Sequence, residues 1–375
     1  MGFIRHIPGT RPIEPARHHD KTLGVGVLGL HEGRTLLLAL STRCSDARPV
    51  AGCDLSHDKI AASKGELPDL FYTTDYDQML KRRDVDIVAI YTPDAQHGEH
   101  IVKAFEAGKH VICTKPLVNS FEDARLILDA GRRTGCRLLV GQSTRFFEPF
   151  RRQRAAFERG ELGTLELVDA HYIHRMDWYY DKSPWAAKGT DWVFLGLSHP
   201  IDLLRWYLGA IERVSAMAST SALGRERGVV GPDIYVVNAF SHAGALGRAM
   251  GHYGCHELPR ARNCIELMLY GSDSTSQAQY HDMRYTHLAK DGTEVVEDSL
   301  YAGRHYYFNS EVHGMHYGEF ANYAEHFARS IINGSDASPS LEEGVETFCI
   351  MEAVRRSSRE GVAVEVRPLL KQVGL

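Results

Sequence analysis

The chain is poor in the features that announce a secreted, membrane-bound or nucleic-acid-binding protein. Its seven cysteines, Cys44, Cys53, Cys113, Cys136, Cys255, Cys264 and Cys349, are odd in number, scattered and without a C-x-x-C pair. That spacing argues against a disulfide frame or a zinc site and fits reduced thiols. The first twenty residues lack the apolar stretch of a secretory signal. No apolar run reaches the length needed to cross a bilayer. A net charge of -5 gives no support for a nucleic-acid or anionic-membrane partner. The expectation is a soluble, cytoplasmic protein with no nucleic-acid and no membrane partner. What remains is ordinary globular composition, 43% hydrophobic and 24% charged, over 375 residues, a length that suits two domains.

Two rhythms divide the chain. After a polar, loose N-terminal arm (1–20), Leu23–Leu28 is an apolar run that enters a turn at Gly29, and a helix is predicted from about Arg34. A short strand over Pro49–Asp54 precedes helices over Lys59–Lys64 and Asp75–Arg83. Val85–Tyr91 is a continuous apolar run of the kind buried inside a parallel sheet. A helix over His97–Ala107, a strand over His110–Thr114, a helix over Phe121–Thr134 and a strand over Arg137–Gly141 complete a series of right-handed βαβ units. From about Arg145 alternating segments take over: Leu165–His174, Ile211–Ala218, Ile234–Phe240, Gly247–Tyr253, Asn263–Tyr270 and Gln277–Tyr280. These predict antiparallel strands of one broad sheet. Helices are expected over Pro200–Leu208, Tyr317–Ile332 and Leu341–Glu360.

The chemistry begins at Gly26–Arg34, GVLGLHEGR. A strand running into a glycine turn and then a helix is the context of a dinucleotide fingerprint, in which helix N-terminal N–H groups hold a pyrophosphate. Counting G-x-G-x-x-G from Gly29 puts His31 and Arg34 where the second and third glycines belong, and Gly33 is the residue that compensates if the turn is rearranged. Asp54 lies about 20 residues on, at the end of the next strand, where a carboxylate accepts hydrogen bonds from a ribose. A 2′-phosphate there would be repelled, which favours NAD over NADP. The plain alternative for Asp54 is a turn or helix-capping role, since Ser56 and Asp58 follow.

The stretch Ile90–Pro116, IYTPDAQHGEHIVKAFEAGKHVICTKP, is the most specific. Its T-P-x-x-x-H, A-G-K-H-V and x-K-P elements closely resemble the Gfo/Idh/MocA family of sugar and polyol oxidoreductases. The resemblance continues through Arg145, through His199-Pro200-Ile201-Asp202, and on to the final helices, so it covers essentially the whole chain after the arm. It implies an α/β protein: an N-terminal Rossmann dinucleotide-binding domain over 21–145, then an α+β domain over 146–375 with a large, mostly antiparallel sheet. The second domain would serve substrate binding and oligomerisation, with the terminal helices free to pack back on the first. It also implies NAD as cofactor, held by Gly29, Leu30, His31, Glu32, Asp54, Thr92, Pro93, His97, Thr114, Lys115 and Arg145. Lys115 matches the family lysine beside the nicotinamide and the substrate hydroxyl. His199 matches the second proton-handling residue.

Two positions depart from the family. The Glu that precedes the lysine is Thr114 here, and the Asp four residues before the histidine is Leu195, so two carboxylates are missing. Asp191 or Asp177 is a candidate replacement from a neighbouring turn. The substrate side is expected on the sheet face carrying Tyr172, His174, Arg175, Asp177, Trp178 and Tyr179, with Trp185, Lys188 and Asp191 in a following loop. Aromatic rings stack on sugar C–H faces, while Arg145 and Arg175 suit an anionic group. The expected substrate contacts are Lys115, Arg145, Arg175, Asp177, Trp178, Asp191 and His199. A cluster of His305, Tyr306, Tyr307, His313, His316 and Tyr317 is irregular in spacing, which favours a substrate loop or subunit contact over a metal site.

The function these readings support is hydride transfer from a secondary hydroxyl of a sugar, polyol or glycoside to NAD, by a homodimer or homotetramer. One alternative is an NAD-dependent glycosidase, in which transient C3 oxidation permits elimination, water addition and re-reduction. Another is a nucleotide-binding regulatory protein that has lost catalysis, against which Lys115 and His199 argue.

Overall fold

The unbroken apolar runs of the first half become strands buried on both faces, since helices cover both sides of a parallel sheet. The computed structural model describes residues 2–6, 21–44, 46–258, 264–299 and 319–375. Along the first part of the chain run β1 (Phe3–His6), β2 (Leu23–Leu28), α1 (Gly33–Arg43), β3 (Ala47–Cys53), α2 (His57–Glu66), β4 (Phe71–Thr73) and α3 (Tyr76–Leu80). There follow β5 (Ile87–Ile90), α4 (His97–Glu106), β6 (His110–Thr114), α5 (Phe121–Thr134) and β7 (Leu138–Gly141). The second part opens with α6 (Glu148–Glu158), β8 (Leu165–Ile173), α7 (Asp177–Lys182), α8 (Trp185–Lys188), α9 (Trp192–Leu195) and α10 (Ser198–Leu208). Next come β9 (Ile211–Ser219), α11 (Ala222–Arg227), β10 (Ile234–Ser241), β11 (Leu246–His252), β12 (Cys264–Gly271), β13 (Thr275–Gln279), β14 (Arg284–Leu288) and β15 (Glu294–Asp298). The described chain closes with α12 (Glu319–Asn333), α13 (Leu341–Glu360), β16 (Val364–Glu365) and α14 (Arg367–Val373).

Two compact units result, one from 12–146 and 303–345, the other from 1–11, 147–302 and 346–375. The first holds a six-stranded sheet in the order β4-β3-β2-β5-β6-β7, every neighbouring pair parallel. The chain leaves β2 toward β3 and β4, then returns to β5 on the other side. The carboxyl ends of β2 and β5 therefore form the switch point at which open α/β sheets bind ligands. Helix α12 packs into this unit's core through Phe320, Tyr323, Ala324, Phe327 and Ala328, a spacing that puts all five on one helical face. Below them lie Leu23, Val25, Leu36 and Leu40. Fully buried Asp46 anchors the same helix, accepting a hydrogen bond from Arg329 Nε at 2.9 Å.

The other unit holds a ten-stranded sheet in the order β1-β15-β14-β13-β12-β8-β11-β10-β9-β16, with α10 packed over β8 and β11. Two of its pairs, β8 with β11 and β1 with β15, are parallel, where alternation alone predicts antiparallel neighbours throughout. Parallel neighbours require a crossover, and α7 to α10 supply it: the chain leaves β8 through these helices and returns by the β9–β10–β11 meander. The polar arm is also not wholly loose, because Phe3–His6 forms the edge strand β1. Residues 7–20 lie outside the described residues, as does the His305–Tyr317 cluster. The stretch expected as a loop around Trp185, Lys188 and Asp191 contains the short helices α8 and α9. Among the described residues no helix is long and apolar enough to cross a membrane.

Candidate active site

The glycine turn after β2 is built by close backbone approach. Gly29 takes φ +91° and an added Cβ would lie 2.6 Å from the Tyr91 carbonyl oxygen, so only glycine fits. The helix starts at Gly33, one residue before the simple motif count, and Gly33 is the glycine that seats it on the strand. A Cβ there would meet Val27 Cγ1 at 2.5 Å. Arg34, at the position of the third motif glycine, turns away and its Nε donates to Glu66 Oε2 at 2.6 Å. No side chain caps α1 and its first turn carries no acidic residue, which leaves the N-terminal end polarised to receive an anion.

Asp54 joins the turn to the end of β3. Its Oδ2 accepts from Leu30 N at 2.8 Å and its Oδ1 from Ser56 N at 2.8 Å, while Lys59 Nζ stands 3.6 Å away. The helix-capping role belongs to Ser56 rather than Asp54. These residues fit a dinucleotide: the N-terminal turn of α1 would receive the pyrophosphate and the Asp54 carboxylate at the end of β3 would receive the adenosine ribose.

The loops after β5 and β6 are tied together by His97, which is buried at the first position of α4. Its Nε2 lies 2.8 Å from the Thr92 carbonyl oxygen and its Nδ1 2.9 Å from that of Pro116. The ring thus spans the Thr92-Pro93 loop and the segment carrying Lys115. Thr92 Oγ1 is hydrogen-bonded to His100 Nδ1 at 3.0 Å, and Thr114 Oγ1 donates to the Ile90 carbonyl at 3.2 Å. Arg145 is buried against the chain before α13; its Nη1 donates to Ser338 Oγ at 3.0 Å and lies 3.8 Å from Glu343.

Lys115 stands at the carboxyl end of β6, its residue half-buried and its ammonium desolvated. Desolvation lowers its pKa from 10.5 to about 8, against the opposing pull of the Glu32 and Asp94 carboxylates. These two acids are what the sequence reading missed around this lysine. Thr114 removes one carboxylate, yet Glu32 in the glycine turn and Asp94 after Thr92-Pro93 bear on the same amine. The signal was visible only as two acids placed at the ends of the two strands flanking the switch point.

In the large-sheet unit, His199 is the second residue of α10 and is buried, with the Tyr172 ring edge-on to its imidazole at 5.5 Å. Leu195 is buried at the end of α9 and offers no carboxylate. Asp191 caps α9, its Oδ1 accepting from Val193 N and from the Tyr235 hydroxyl, each at 3.1 Å. Arg359 stands 3.7 Å from its Oδ2. Asp177 accepts from Arg175 Nε at 2.8 Å and from Trp178 N at 2.9 Å. Burial pushes the Asp177 carboxyl up, but these bonds together hold it below the usual carboxylate range. Arg175 is further held by its backbone N–H to Glu257 Oε1 at 2.6 Å. Both candidate replacement carboxylates thus have structural duties of their own. Trp178 Nε1 donates to His174 Nε2 at 3.2 Å, which makes it part of the wall beside Tyr172.

The expected residues therefore fall into two groups. Gly29, Leu30, His31, Glu32, Asp54, Thr92, Pro93, His97, Thr114, Lys115 and Arg145 belong to the parallel-sheet unit, and Arg175, Asp177, Trp178, Asp191 and His199 to the other.

Comparison with known proteins matches both parts of the chain to one family. Residues 23–142 match its NAD-binding Rossmann domain and residues 154–366 its C-terminal alpha/beta domain. Levoglucosan dehydrogenase of Pseudarthrobacter phenanthrenivorans is 24% identical over 78% of this chain and 83% of its own length. An inositol 2-dehydrogenase of Mycolicibacterium gilvum is 31% identical over 58% of this chain and 60% of its own. Alignments with the leading curated relatives span from 46% to 83% of those proteins' lengths. Among solved structures, an Agrobacterium radiobacter oxidoreductase in complex with NAD+, L-tartaric acid and magnesium superposes with a TM-score of 0.81 at 17% identity. That superposition covers 93% of this chain and 100% of the other.

Proposed function

The chain is a member of the Gfo/Idh/MocA oxidoreductase family, NAD-binding in its Rossmann domain, and from that premise we propose that it is an NAD-dependent dehydrogenase of a sugar or polyol. The observation that carries the reading is Lys115, at the carboxyl end of β6 next to the switch point, its amine desolvated and its pKa lowered to about 8. A neutral amine there accepts the proton of a secondary hydroxyl, and His199, at the position of the family's second proton-handling residue, is an imidazole that can itself accept or release a proton near neutral pH. NAD, when bound, supplies the hydride acceptor. Glu32 and Asp94 keep the Lys115 pKa from falling further, so the amine still holds a proton readily once it has taken one. Asp54 positions the glycine turn and selects the ribose hydroxyls. Arg175, Asp177 and Trp178 form a polar, aromatic edge suited to a hydroxylated substrate.

The named relatives are dehydrogenases, which favours net oxidation over an NAD-recycling glycosidase. The test incubates purified protein with NAD and levoglucosan, myo-inositol, D-glucose and aryl glycosides, following NADH and aglycone separately. NADH accumulating on a free polyol supports the proposal. Aglycone release without net NADH, or neither signal, overturns it. The protein works as a homodimer or homotetramer in this reading. Met217, Val236 and Met250 sit in register on β9, β10 and β11, and Met217 is 80% exposed, an apolar strip that a second copy of the chain would cover. Sedimentation equilibrium of wild type and of Met217→Lys reads this directly: a wild-type monomer, or an unchanged oligomer in the variant, refutes that surface.

A further inference from the structure

The carboxylate that would receive the adenosine ribose does not stand as a bare negative charge. Asp54 follows β3 directly, and both of its oxygens already serve the backbone: Oδ2 accepts from Leu30 N and Oδ1 from Ser56 N, each at 2.8 Å. Lys59 Nζ stands 3.6 Å from Oδ2. At that separation the two charges attract without a direct hydrogen bond, so the ammonium is held near Asp54 with its N–H donors still available.

The start of α2 sets the place of this lysine. Ser56 caps the helix, its Oγ accepting from Lys59 N at 3.4 Å, which makes Lys59 the third residue of the first turn. A cation there opposes the helix macrodipole, so helix stability does not account for it. Asp58 comes one residue earlier and stands about 100° round the helix, so it does not share the direction of Lys59. The edge is open as well: Leu55 is 87% exposed and the Lys59 side chain 44%. A group bound there keeps water on its outer side, and the long lysine side chain reaches it by a change of rotamer.

These observations bear on the group at the 2′ position of the ribose. A 2′-phosphate brings close to two negative charges near neutral pH. Asp54 by itself repels it, but the ammonium of Lys59 offsets the carboxylate and adds a charge-assisted donor at the same spot. We propose that Lys59 is a specificity-determining residue of the cofactor site, the cation that receives the 2′-phosphate of NADP. The chain then takes NADP as a second cofactor, with Asp54 keeping NAD the tighter of the two. This rests on the dinucleotide site in the Rossmann domain and is independent of which alcohol is oxidised.

Calorimetric titration of the full-length protein with NAD and with NADP tests this without any turnover. Wild type should bind NADP with a Kd within about a hundredfold of that for NAD. The ratio of the two Kd values, NADP over NAD, should rise about tenfold in Lys59→Ala and return toward wild type in Lys59→Arg. Added potassium chloride should raise the same ratio in wild type, and raise it less in Lys59→Ala, because salt screens the contact that the lysine makes. A wild type that binds NAD but not NADP overturns the proposal, as does a ratio that Lys59→Ala leaves unaltered. Failure of the dinucleotide site itself shows separately, as a wild type that binds neither nucleotide, and it overturns the proposal with it.

Discussion

Lys115→Met separates the cost of the active-site amine from its use. The methionine keeps an unbranched side chain of similar length and removes the charge. A fall in pKa from 10.5 to about 8 corresponds to about 3 kcal/mol by which the folded protein disfavours the ammonium relative to the unfolded chain. At pH 7 both states are protonated and the whole penalty is present. Between pH 8 and 10.5 the unfolded chain still binds a proton that the folded chain has released, so wild-type stability rises with pH across this window relative to the variant. Lys115→Met should therefore be more stable than wild type at pH 7 by about 1–3 kcal/mol, the lower figure applying as Glu32 and Asp94 lose their cation. That advantage should shrink by about 3 kcal/mol by pH 10.5. Urea denaturation of the cofactor-free proteins at a series of pH values measures both. NADH production on the best polyol should fall by at least about a hundredfold in the variant, given the usual contribution of a general base. In wild type kcat should rise with pH and level off above about 8. A stability difference that ignores pH, or a variant that retains turnover, refutes the reasoning.

Three further outcomes follow from the same geometry. Asp54→Ala removes the acceptor for Leu30 N and Ser56 N, and the NAD Kd should rise about tenfold to a hundredfold in calorimetric titration, with discrimination against NADP reduced. Gly33→Ala forces a Cβ to 2.5 Å from Val27 Cγ1; it should cost about 1–3 kcal/mol in chemical denaturation and weaken NAD binding as the helix start shifts. Phe327→Ala empties a fully buried ring from the face α12 turns to the parallel-sheet core, and should cost about 3–5 kcal/mol in the same denaturation assay.

Legibility of the fold follows the range of the interactions that set it. The strand His110–Thr114 and the helices Phe121–Thr134 and Leu341–Glu360 match their expected spans, because burial pattern and capping residues are local signals: Ser120 caps α5 and Gly135 ends it in the left-handed region. The direction of β11 beside β8 was not legible, since alternation reports which face is buried and never which strand is the neighbour. Edge strands such as β1 and β16 are too short to carry a period at all.

The candidate site divides along the same line. Turn geometry and strand ends marked Gly29, Asp54 and Thr92-Pro93, because both are written into residue type and order, while Lys115 and His199 were marked by the resemblance to the family. Which glycine seats α1 on β2 needed the actual packing, as the close contact with Val27 belongs to Gly33 and not to the residue the motif count names. The sequence by itself determined a parallel-sheet nucleotide domain joined to a second, broad-sheet domain, with a lysine at the end of a strand. Only the tertiary structure decided that Glu32 and Asp94 bear on that lysine, and that Asp191 and Asp177 each hold hydrogen bonds within their own neighbourhood. Charge and hydrogen-bond direction depend on which atoms meet across long sequence separations, and no local pattern records that.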